Sequence, residues 1–338
     1  MFVGWWRRRS ARNKKRLIFY PALVAVAAGF VAFVTAMPGA SHHGALAPLD
    51  DEQGRLAAGL RRDVTRLTGI GERHLERAGT LDRAWAQHDG ELSDAGYVPK
   101  SLRYRADERT VANIEATREA SGVSREIVVI GAHYDTAAGA PGADDNASGV
   151  AVLLALARAF EKRPQRRILR FVAFVNEEPP HFWNETMGSL HYARDCKARG
   201  DEIVAMLSLE SLGYYRDAPG SQKYPPILSW LYPDRGDFVA FVGDLGSRGL
   251  VRQTIGTFRR AAQFPSEGAA APGFVPGVGW SDQWSFWKQG YPGVMVTDTA
   301  PFRNPNYHTA RDVADTLDYD RLARVTAGLI AVVGELSR

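Results

Sequence analysis

Residues 126–149 read EIVVIGAHYDTAAGAPGADDNASG, and the fold prediction starts from this stretch. It begins with the short, β-branched apolar run EIVVIGA, which is typical of a strand buried on both faces of a parallel sheet. One histidine and three aspartates follow, and then ASGVAVLLALARAFEK, residues 147–162, predicts a helix that ends before Pro164. The connection between a buried strand and a helix therefore carries a large amount of negative charge.

The chain then continues with alternating strands and helices. RRILRFVAFVN (166–176), IVAMLSLES (203–211) and YPGVMVTDT (291–299) predict three further buried strands. DYDRLARVTAGLIAVVGEL (318–336) has the spacing of an amphipathic closing helix. Strands separated by helical segments predict an α/β domain with a largely parallel central sheet.

The N-terminus differs in composition from the rest of the chain. Residues 1–16 hold seven Arg and Lys residues and no acid, and residues 17–36 carry no charge. About 20 apolar residues in a helix span about 30 Å, the thickness of a bilayer core. The pattern predicts a basic cytoplasmic tail (1–16), one transmembrane anchor (17–37), a linker (38–51) and a periplasmic or extracellular domain (52–338). A cleaved signal peptide, which would leave the domain secreted, is the alternative.

Charge and cysteine content argue against two classes of protein. The whole chain has a net charge of +4, but without the seven N-terminal cations the remainder carries −3, so no nucleic-acid surface is expected on the domain. Cys196 is the only cysteine, so no intramolecular disulfide can form, and a buried bystander is expected. The sequence indicates no oligomeric state.

Acidic and histidine side chains follow the predicted strands at their carboxyl ends. Because the functional crevice of an open α/β sheet lies outside those ends, residues from separate strands are expected to meet there. The candidates are His133, Asp135, Asp144 and Asp145 after the first strand, Glu177 and Glu178 after the second, Glu210 at the end of the third, and His308 after the fourth.

Such a cluster needs a positively charged partner. Four or five carboxylates brought together repel one another and favour protonation. One or two divalent metal ions would remove that conflict, and mixed imidazole and carboxylate ligation favours Zn²⁺, with Mn²⁺ or Co²⁺ as chemically possible substitutes. Each motif alone is also compatible with an ordinary polar turn, but their joint placement at successive strand ends predicts a metal site.

Five motifs in this order resemble those of a known family. GAHYD, PGADDNASG, NEE, SLES and NYHT are similar in order and separation to the co-catalytic zinc metallopeptidases of family twenty-eight, which include bacterial leucyl aminopeptidase, aminopeptidase Y and glutamate carboxypeptidase II. The resemblance runs from about residue 55 to the C-terminus. It implies a three-layer α/β/α fold with a mostly parallel, mixed sheet, of the zinc-dependent exopeptidase (phosphorylase/hydrolase-like) type, and two zinc ions.

The resemblance also implies a role for individual residues. Asp144 would bridge the two zinc ions, Asp135 would hold the His133 imidazole in its tautomer, and Glu177 would be the general base. A cis peptide bond is implied between Asp144 and Asp145. The implied metal ligands are His133 and Glu210 on one ion, Glu178 and His308 on the other, and Asp144 on both.

Other side chains are candidates for contacts with the substrate or with an oxyanion. Residues 179–186, PPHFWNET, predict a stiff aromatic loop over the pocket after the glutamate pair. Residues 281–283 read SDQ where relatives often carry SDH, so the chain departs from the family pattern there. Packing roles are equally compatible with these positions. The candidates are Tyr307, Tyr214, Tyr215, Asp282 and His181.

These features predict a membrane-anchored, exported di-zinc aminopeptidase that releases N-terminal residues from peptides. Three alternatives stay open: a single-zinc glutaminyl cyclase, a carboxypeptidase or dipeptidase on the same fold, and a receptor or scaffold domain without activity. All five implied ligand positions and the implied base position carry a suitable residue, which argues against a receptor or scaffold domain without activity. Residues 214–280, rich in Pro, Gly and aromatics, are expected to form the wall of an apolar specificity pocket.

Overall fold

The computed structural model describes residues 3–225 and 228–338, with side chains for all of these except residues 3–18 and 78. It divides into two units, one up to Ala36 and one from Met37 to Arg338. The first unit contains helix α1 (Val3–Thr35). Within the described part of the chain, no helix is both long enough and apolar enough to cross a membrane. The predicted anchor is therefore not supported, and its first two residues and the predicted basic tail lie outside the described side chains.

The second unit is built around one mixed sheet of eight strands. Its strands are β1 (Lys100–Ala106), β2 (Arg109–Arg118), β3 (Glu126–His133), β4 (Ile168–Phe174), β5 (Glu202–Glu210), β6 (Val239–Gly243), β7 (Ser266–Ala270) and β8 (Gly293–Thr297). Their order across the sheet is β1-β2-β4-β3-β5-β8-β6-β7. The pairs β3/β4, β3/β5, β5/β8 and β6/β7 are parallel, and the other three are antiparallel. The predicted mixed sheet is confirmed, and it gains four strands that the sequence patterns do not indicate: β1, β2, β6 and β7.

Helices cover both faces of this sheet, which makes the unit a three-layer α/β/α structure. They are α2 (Asp51–Thr68), α3 (Ala78–Asp94), α4 (Gly149–Phe160), α5 (Gly188–Arg199), α6 (Arg248–Ala261), α7 (Gln283–Lys288), α8 (Ala300–Arg303) and α9 (Tyr319–Leu336). Alternate residues of β3 belong to separate cores: Val128 and Ile130 pack with α4 and α9, while Ile127 and Val129 pack with α5 and α7. Burial on both faces explains why β3 is a continuous apolar run.

The predicted linker belongs to the second unit. Residues 38–50 contain no helix or strand, but they pack on α6 and β7. The Arg259 guanidinium donates hydrogen bonds to the carbonyls of Pro38 and Gly39, and the Ser266 N–H donates to Ser41 Oγ at 2.9 Å. The segment ends at a capping box, in which the Asp50 side chain accepts a hydrogen bond from the third residue of α2.

The central parallel strands end at one edge of the sheet. His133 is the last residue of β3 and Glu210 the last of β5, where it lies opposite Thr297 of β8. Between β3 and α4 the chain passes Gly142, whose φ of 64° is left-handed, and then enters the helix at Gly149. A Cβ at Gly149 would lie 2.5 Å from the Leu209 carbonyl oxygen, so only glycine lets this segment approach β5 so closely.

Candidate metal centre

Side chains from the ends of three strands and from one further loop converge at this edge. His133 comes from the end of β3, Asp145 from the segment between β3 and α4, Glu178 from the turn after β4, and Glu210 from the end of β5. His308 joins them from the loop after α8. The first four are buried, and the His308 side chain is 32% exposed, so the cluster opens to solvent on the side of His308. The predicted convergence of these segments is therefore present in the fold.

Two groups of side chains share one carboxylate. Asp145 Oδ1 lies 3.2 Å from His133 Nε2, and Asp145 Oδ2 lies 2.9 Å from His308 Nε2. Glu210 Oε2 lies 3.2 Å from the same His133 nitrogen, and Glu178 Oε2 lies 3.1 Å from the same His308 nitrogen. Within each group of three, the candidate ligand atoms lie within 4.8 Å of one another. Asp145 thus lies between a group with His133 and Glu210 and a group with Glu178 and His308.

Asp145, rather than Asp144, occupies the shared position, which corrects the implied bridging role of Asp144. The Asp144 carboxylate turns away and accepts hydrogen bonds from the Gly213 N–H and from Asn304 Nδ2, both at 2.8 Å. The cis peptide bond also lies one residue later than implied, between Asp145 and Asn146. Two identical neighbouring residues offer no pattern by which the sequence alone distinguishes them.

A third aspartate holds the backbone of this pair in place. The Asp312 carboxylate accepts hydrogen bonds from the N–H groups of Asp144, at 2.9 Å, and Asp145, at 3.1 Å. Asp312 is fully buried and lies four residues after His308, so it ties the two loops that carry the shared carboxylate and one imidazole. It stands in the same NPNYHTARD segment as His308, but its role depends on a contact 167 residues away in sequence.

Asp135 has the predicted position behind His133 and a second contact as well. Its Oδ1 lies 3.5 Å from His133 Nδ1. The same carboxylate accepts hydrogen bonds from the backbone N–H groups of Glu177, at 3.1 Å, and Glu178, at 3.0 Å. Asp135 therefore lies beside the imidazole and fixes the backbone of the adjacent glutamate pair.

The donor atoms of the cluster are arranged for a metal ion rather than for one another. Both ring nitrogens of His133, Nε2 of His308 and Oε1 of Glu178 are buried, and they make no hydrogen bond to the described residues. The two Nε2 atoms nevertheless lie 2.9–3.2 Å from carboxylate oxygens. Nitrogen and oxygen atoms that lie so close together without hydrogen bonding could instead bind the same metal ion. Imidazole and carboxylate donors of this kind are the ligands that zinc accepts.

Burial and mutual repulsion shift the pKa values of these groups. Burial raises the pKa of Glu178 to about 8, and the Asp145 carboxylate adds to this shift. Burial lowers the pKa of the His308 imidazole, but Asp145 and Glu178 raise it by more, to about 10. Burial also raises the pKa of Glu177 well above its usual range. Carboxylates outnumber imidazoles here, and a divalent cation would offset the excess negative charge.

The remaining candidates divide between the site and the core. Tyr307 stacks on the His308 ring at 3.8 Å and lines a pocket next to Glu210. Tyr214 packs on the Arg216 guanidinium, and Tyr215 is buried edge-to-face against Phe264, so neither is brought to the clustered donor atoms.

Asp282 and His181 are both turned inward. Asp282 is fully buried, and burial raises its pKa to about 7, while the nearby His133 lowers it. Its neighbour Ser281 donates a hydrogen bond to Glu210 Oε2 at 2.7 Å and thereby orients that carboxylate. His181 is buried in its own loop, with Nδ1 2.8 Å from Thr186 Oγ1.

A buried arginine that the sequence patterns do not single out holds the chain leading to Asp145. The Arg73 guanidinium donates to backbone carbonyls: Nε to Tyr134 at 2.8 Å, Nη1 to Pro141 at 2.6 Å and Nη2 to Gly142 at 3.2 Å. The backbones also pair, because the Thr136 N–H donates to the Arg73 carbonyl at 2.9 Å. Burial lowers the pKa of Arg73 to about 10, so it remains a cation at neutral pH. Arg73 sits in GERHLERAG, whose composition resembles an ordinary helical surface.

Comparison with known families identifies the family to which the chain belongs. The family described as Peptidase family M28 matches residues 111–333, which is more than half of the chain. The chain belongs to peptidase family M28. The matched range contains every residue of the two groups around Asp145 and the adjacent Glu177. Arg73, which holds the segment before Asp145, lies outside it.

Individual relatives of this M28 chain agree with the family assignment. It is 42% identical over 216 residues to the "Uncharacterized protein YfbL" of Escherichia coli K12, a match that covers 61% of this chain and 66% of that protein, just under two thirds of its length. It is 25% identical over 296 residues to a "Probable leucine aminopeptidase" of Arthroderma otae, covering 82% of this chain and 72% of that protein.

Solved structures share the fold at low sequence identity. BSAP, described as a zinc aminopeptidase from Bacillus subtilis, superposes with a TM-score of 0.66 at 14% identity, covering 86% of this chain and 97% of that chain. A glutaminyl cyclase from Bacteroides thetaiotaomicron superposes with a TM-score of 0.64 at 16% identity, covering 82% and 97%. Such likeness shows that this M28 chain has their fold.

Asp145 and Asp144 are expected to respond differently to the same substitution. Asp145→Asn removes a charge that both groups share, so we expect bound metal to fall below about a tenth of the wild-type content. Asp144→Asn keeps one acceptor oxygen for the Gly213 N–H, loses the acceptor for Asn304, and leaves the shared carboxylate of Asp145 intact, so we expect most of the metal to remain. Elemental analysis after dialysis against Zn²⁺, with circular dichroism to check folding, measures both. Equal metal loss in the two folded variants would contradict the assignment of the shared position.

Arg73 is expected to matter for stability far more than its position outside the matched residues suggests. Arg73→Met leaves the carbonyls of Gly71, Tyr134, Pro141 and Gly142 without their guanidinium donor, so we expect a loss of about 3–5 kcal/mol in the free energy of unfolding. Arg83→Met is the matched control, because Arg83 makes one long hydrogen bond, at 3.4 Å, to an exposed carbonyl; a loss below about 0.5 kcal/mol is expected. Chemical denaturation compares them, and similar midpoints would refute the role given to Arg73.

Proposed function

We propose that this chain is a zinc-dependent aminopeptidase that binds two zinc ions per molecule and hydrolyses the N-terminal peptide bond of its substrates. The observation that carries the proposal is the pair of three-residue groups joined by the Asp145 carboxylate, with Glu177 beside them. Membership of peptidase family M28 supports hydrolysis of a peptide bond. The names of the aminopeptidases among the similar proteins support the N-terminal direction and zinc.

The residues that would hold the metal follow from the two groups. His133 and Glu210 would bind one ion, Glu178 and His308 the other, and Asp145 both. Zinc bound in such a site polarises the substrate carbonyl and lowers the pKa of water toward neutrality.

Glu177 is the residue best suited to move the proton. Its Oε2 lies 3.8 Å from His133 Nε2, beside the proposed ligands, while Glu178 is directed at His308. As the water oxygen bonds to the carbonyl carbon, Glu177 accepts the water proton; as the C–N bond breaks, it delivers that proton to the leaving amine. Burial raises the pKa of Glu177, which makes it a stronger base than an exposed carboxylate.

The charge of the site favours the amino end of a peptide over the carboxyl end. The pocket beside Glu210 is lined by two acids, Glu210 and Glu267, and by no Lys or Arg among the described residues. A C-terminal carboxylate would need a cation there, because an unpaired buried charge is costly. An N-terminal ammonium is attracted by the same acids. This argument supports an aminopeptidase over a carboxypeptidase.

A glutaminyl cyclase is the second candidate, because one such enzyme shares the fold. It would transfer the acyl group of an N-terminal glutamine to its own amine, with one zinc ion. The presence of both donor groups around Asp145 favours the hydrolase. Membrane anchoring or export of the domain is a further proposal that rests on the apolar N-terminal sequence alone, and N-terminal sequencing of the mature protein would test it.

Activity is expected to depend on two zinc ions. After removal of metal by a chelator, we expect release of N-terminal residues from a broad peptide panel to stop, and to return at about two zinc ions per chain. Mass spectrometry of the products identifies which end shortens, and peptides with N-terminal glutamine serve as the cyclase control. No metal-dependent cleavage of any peptide would refute the proposal. One zinc ion with ammonia loss from glutamine would replace it with a cyclase, and C-terminal shortening with a carboxypeptidase.

Glu177→Gln is expected to abolish turnover without loss of metal. Glutamine has the same shape but cannot accept the water proton, so we expect kcat to fall by about 10²–10⁴. Glu178→Gln is the paired control, since it should lower the zinc content itself. Steady-state kinetics together with elemental analysis separate the two effects. If the zinc-loaded Glu177→Gln variant kept more than a tenth of wild-type kcat, another group would have to be the base.

A further inference from the structure

An apolar pocket extends from the candidate metal centre across one end of the sheet. Glu210 and Tyr307 line it where it meets the centre. Aromatic rings supply much of its wall, among them those of Tyr224, Tyr232 and Phe302. The hydroxyls of both tyrosines are already bound, Tyr224 to the Pro233 carbonyl and Tyr232 to the Gly268 carbonyl, so their rings and not their hydroxyls are available to a ligand.

The floor of the pocket is one face of strands β5, β8, β6 and β7. The strand register places four residues in a single row: Glu210 pairs with Thr297, Thr297 with Ala240, and Ala240 with Glu267. Paired residues present their side chains on the same face. The two inner members of the row are short, so they leave open space between the carboxylates at its ends.

The register also sets the separation of the two glutamates. Three strand spacings of about 4.8 Å put the backbones of Glu210 and Glu267 about 14 Å apart. A lysine side chain extends about 6 Å from Cα, and an ion-pair contact adds about 3 Å. The rest of the distance leaves room for the main chain of the substrate's first residue next to the metal centre. A leucine side chain, which reaches about 3.9 Å from Cα, would leave the Glu267 carboxylate without an ion-pair partner.

Glu267 has a charge that its neighbours only partly neutralise. It is half-buried, and burial raises its pKa, while Arg259, His43 and a hydrogen bond from the Ser41 side chain lower it and Asp237 raises it again. The Arg259 guanidinium is directed elsewhere: Nε and Nη2 donate to Ser266, and Nη1 donates to the carbonyls of Pro38 and Gly39. One hydroxyl only partly stabilises a half-buried carboxylate, and a cation from the pocket would pair with it directly.

We propose that the pocket between Glu210 and Glu267 is a subsite for a long cationic side chain, so that peptides with N-terminal lysine or arginine are the preferred substrates. The apolar stem packs on the aromatic wall, and the ammonium or guanidinium pairs with the Glu267 carboxylate. This inference rests on the proposed aminopeptidase function for its catalytic consequence, but the binding of a cationic amino acid follows from the pocket alone.

The catalytic test compares substrates and variants on the zinc-loaded full chain. We expect Glu267→Gln to lower the ratio of kcat/KM for N-terminal Lys over N-terminal Leu by at least about 30-fold, mainly through KM for Lys. Asp237→Asn is the matched control, since it removes a nearby negative charge that does not line the pocket; its ratio should stay within about threefold of wild type. A wild-type preference for Leu over Lys that Glu267→Gln does not change would overturn the proposal. If the Lys-over-Leu ratio fell equally in both variants, the preference would come from the overall negative charge around the pocket. That result would also overturn the subsite.

Equilibrium binding separates this inference from the proposed function. L-lysine and L-norleucine share a four-carbon stem and differ at the ammonium, so calorimetric titration of each isolates the contribution of that charge. We expect lysine to bind at least about 10-fold more tightly to wild type and the preference to disappear in Glu267→Gln. If no peptide is cleaved but this pattern holds, the subsite stands and the peptidase proposal fails. Equal affinity of wild type for both amino acids refutes the subsite whatever the activity.

Discussion

The position of one carboxylate, that of Asp145, determines how the whole metal centre is arranged. Its two oxygens face two imidazoles, His133 at 3.2 Å and His308 at 2.9 Å, which come from opposite ends of the domain sequence. This is possible because Asp312 binds the backbone N–H of Asp145 and Arg73 binds the carbonyls of the preceding loop. Without these contacts, a more exposed position would be favoured for this acidic segment, because water weakens the repulsion among its carboxylates.

The chemistry of the centre was predictable from the sequence because it sits at strand ends. Buried parallel strands are continuous apolar runs, so the polar residue that ends each run is conspicuous, as His133 and Glu210 are. The parallel order then brings those ends to one edge without any further information. The choice between Asp144 and Asp145 was not predictable, because it depends on backbone direction within an irregular turn. Hydrogen bonds from Gly213 and Asn304 settle it, and both lie far away in sequence.

The parts that sequence patterns did not indicate share a physical cause. Strands β6 and β7 are five residues each; β6 (VAFVG) is apolar but short, and β7 (SEGAA) consists of small and polar residues that give no apolar signal of a strand. The Arg73 guanidinium hydrogen-bonds to backbone carbonyls rather than to a carboxylate. No acidic residue in the sequence therefore indicates that this arginine is buried. Such features are defined by long-range contacts, and a local pattern cannot reveal them.

The division between predictable and unpredictable residues also separates catalysis from specificity. The metal centre uses the ends of β3, β4 and β5, whose register is held by a core on both faces, so its geometry changes only if the core does. The pocket uses the face of β6 and β7 at the edge of the sheet, where one residue can change without repacking the core. Replacing Glu267 alters the charge about 14 Å from Glu210 but touches no proposed ligand. A fold arranged in this way can change the side chain it accepts while the hydrolytic residues stay as they are.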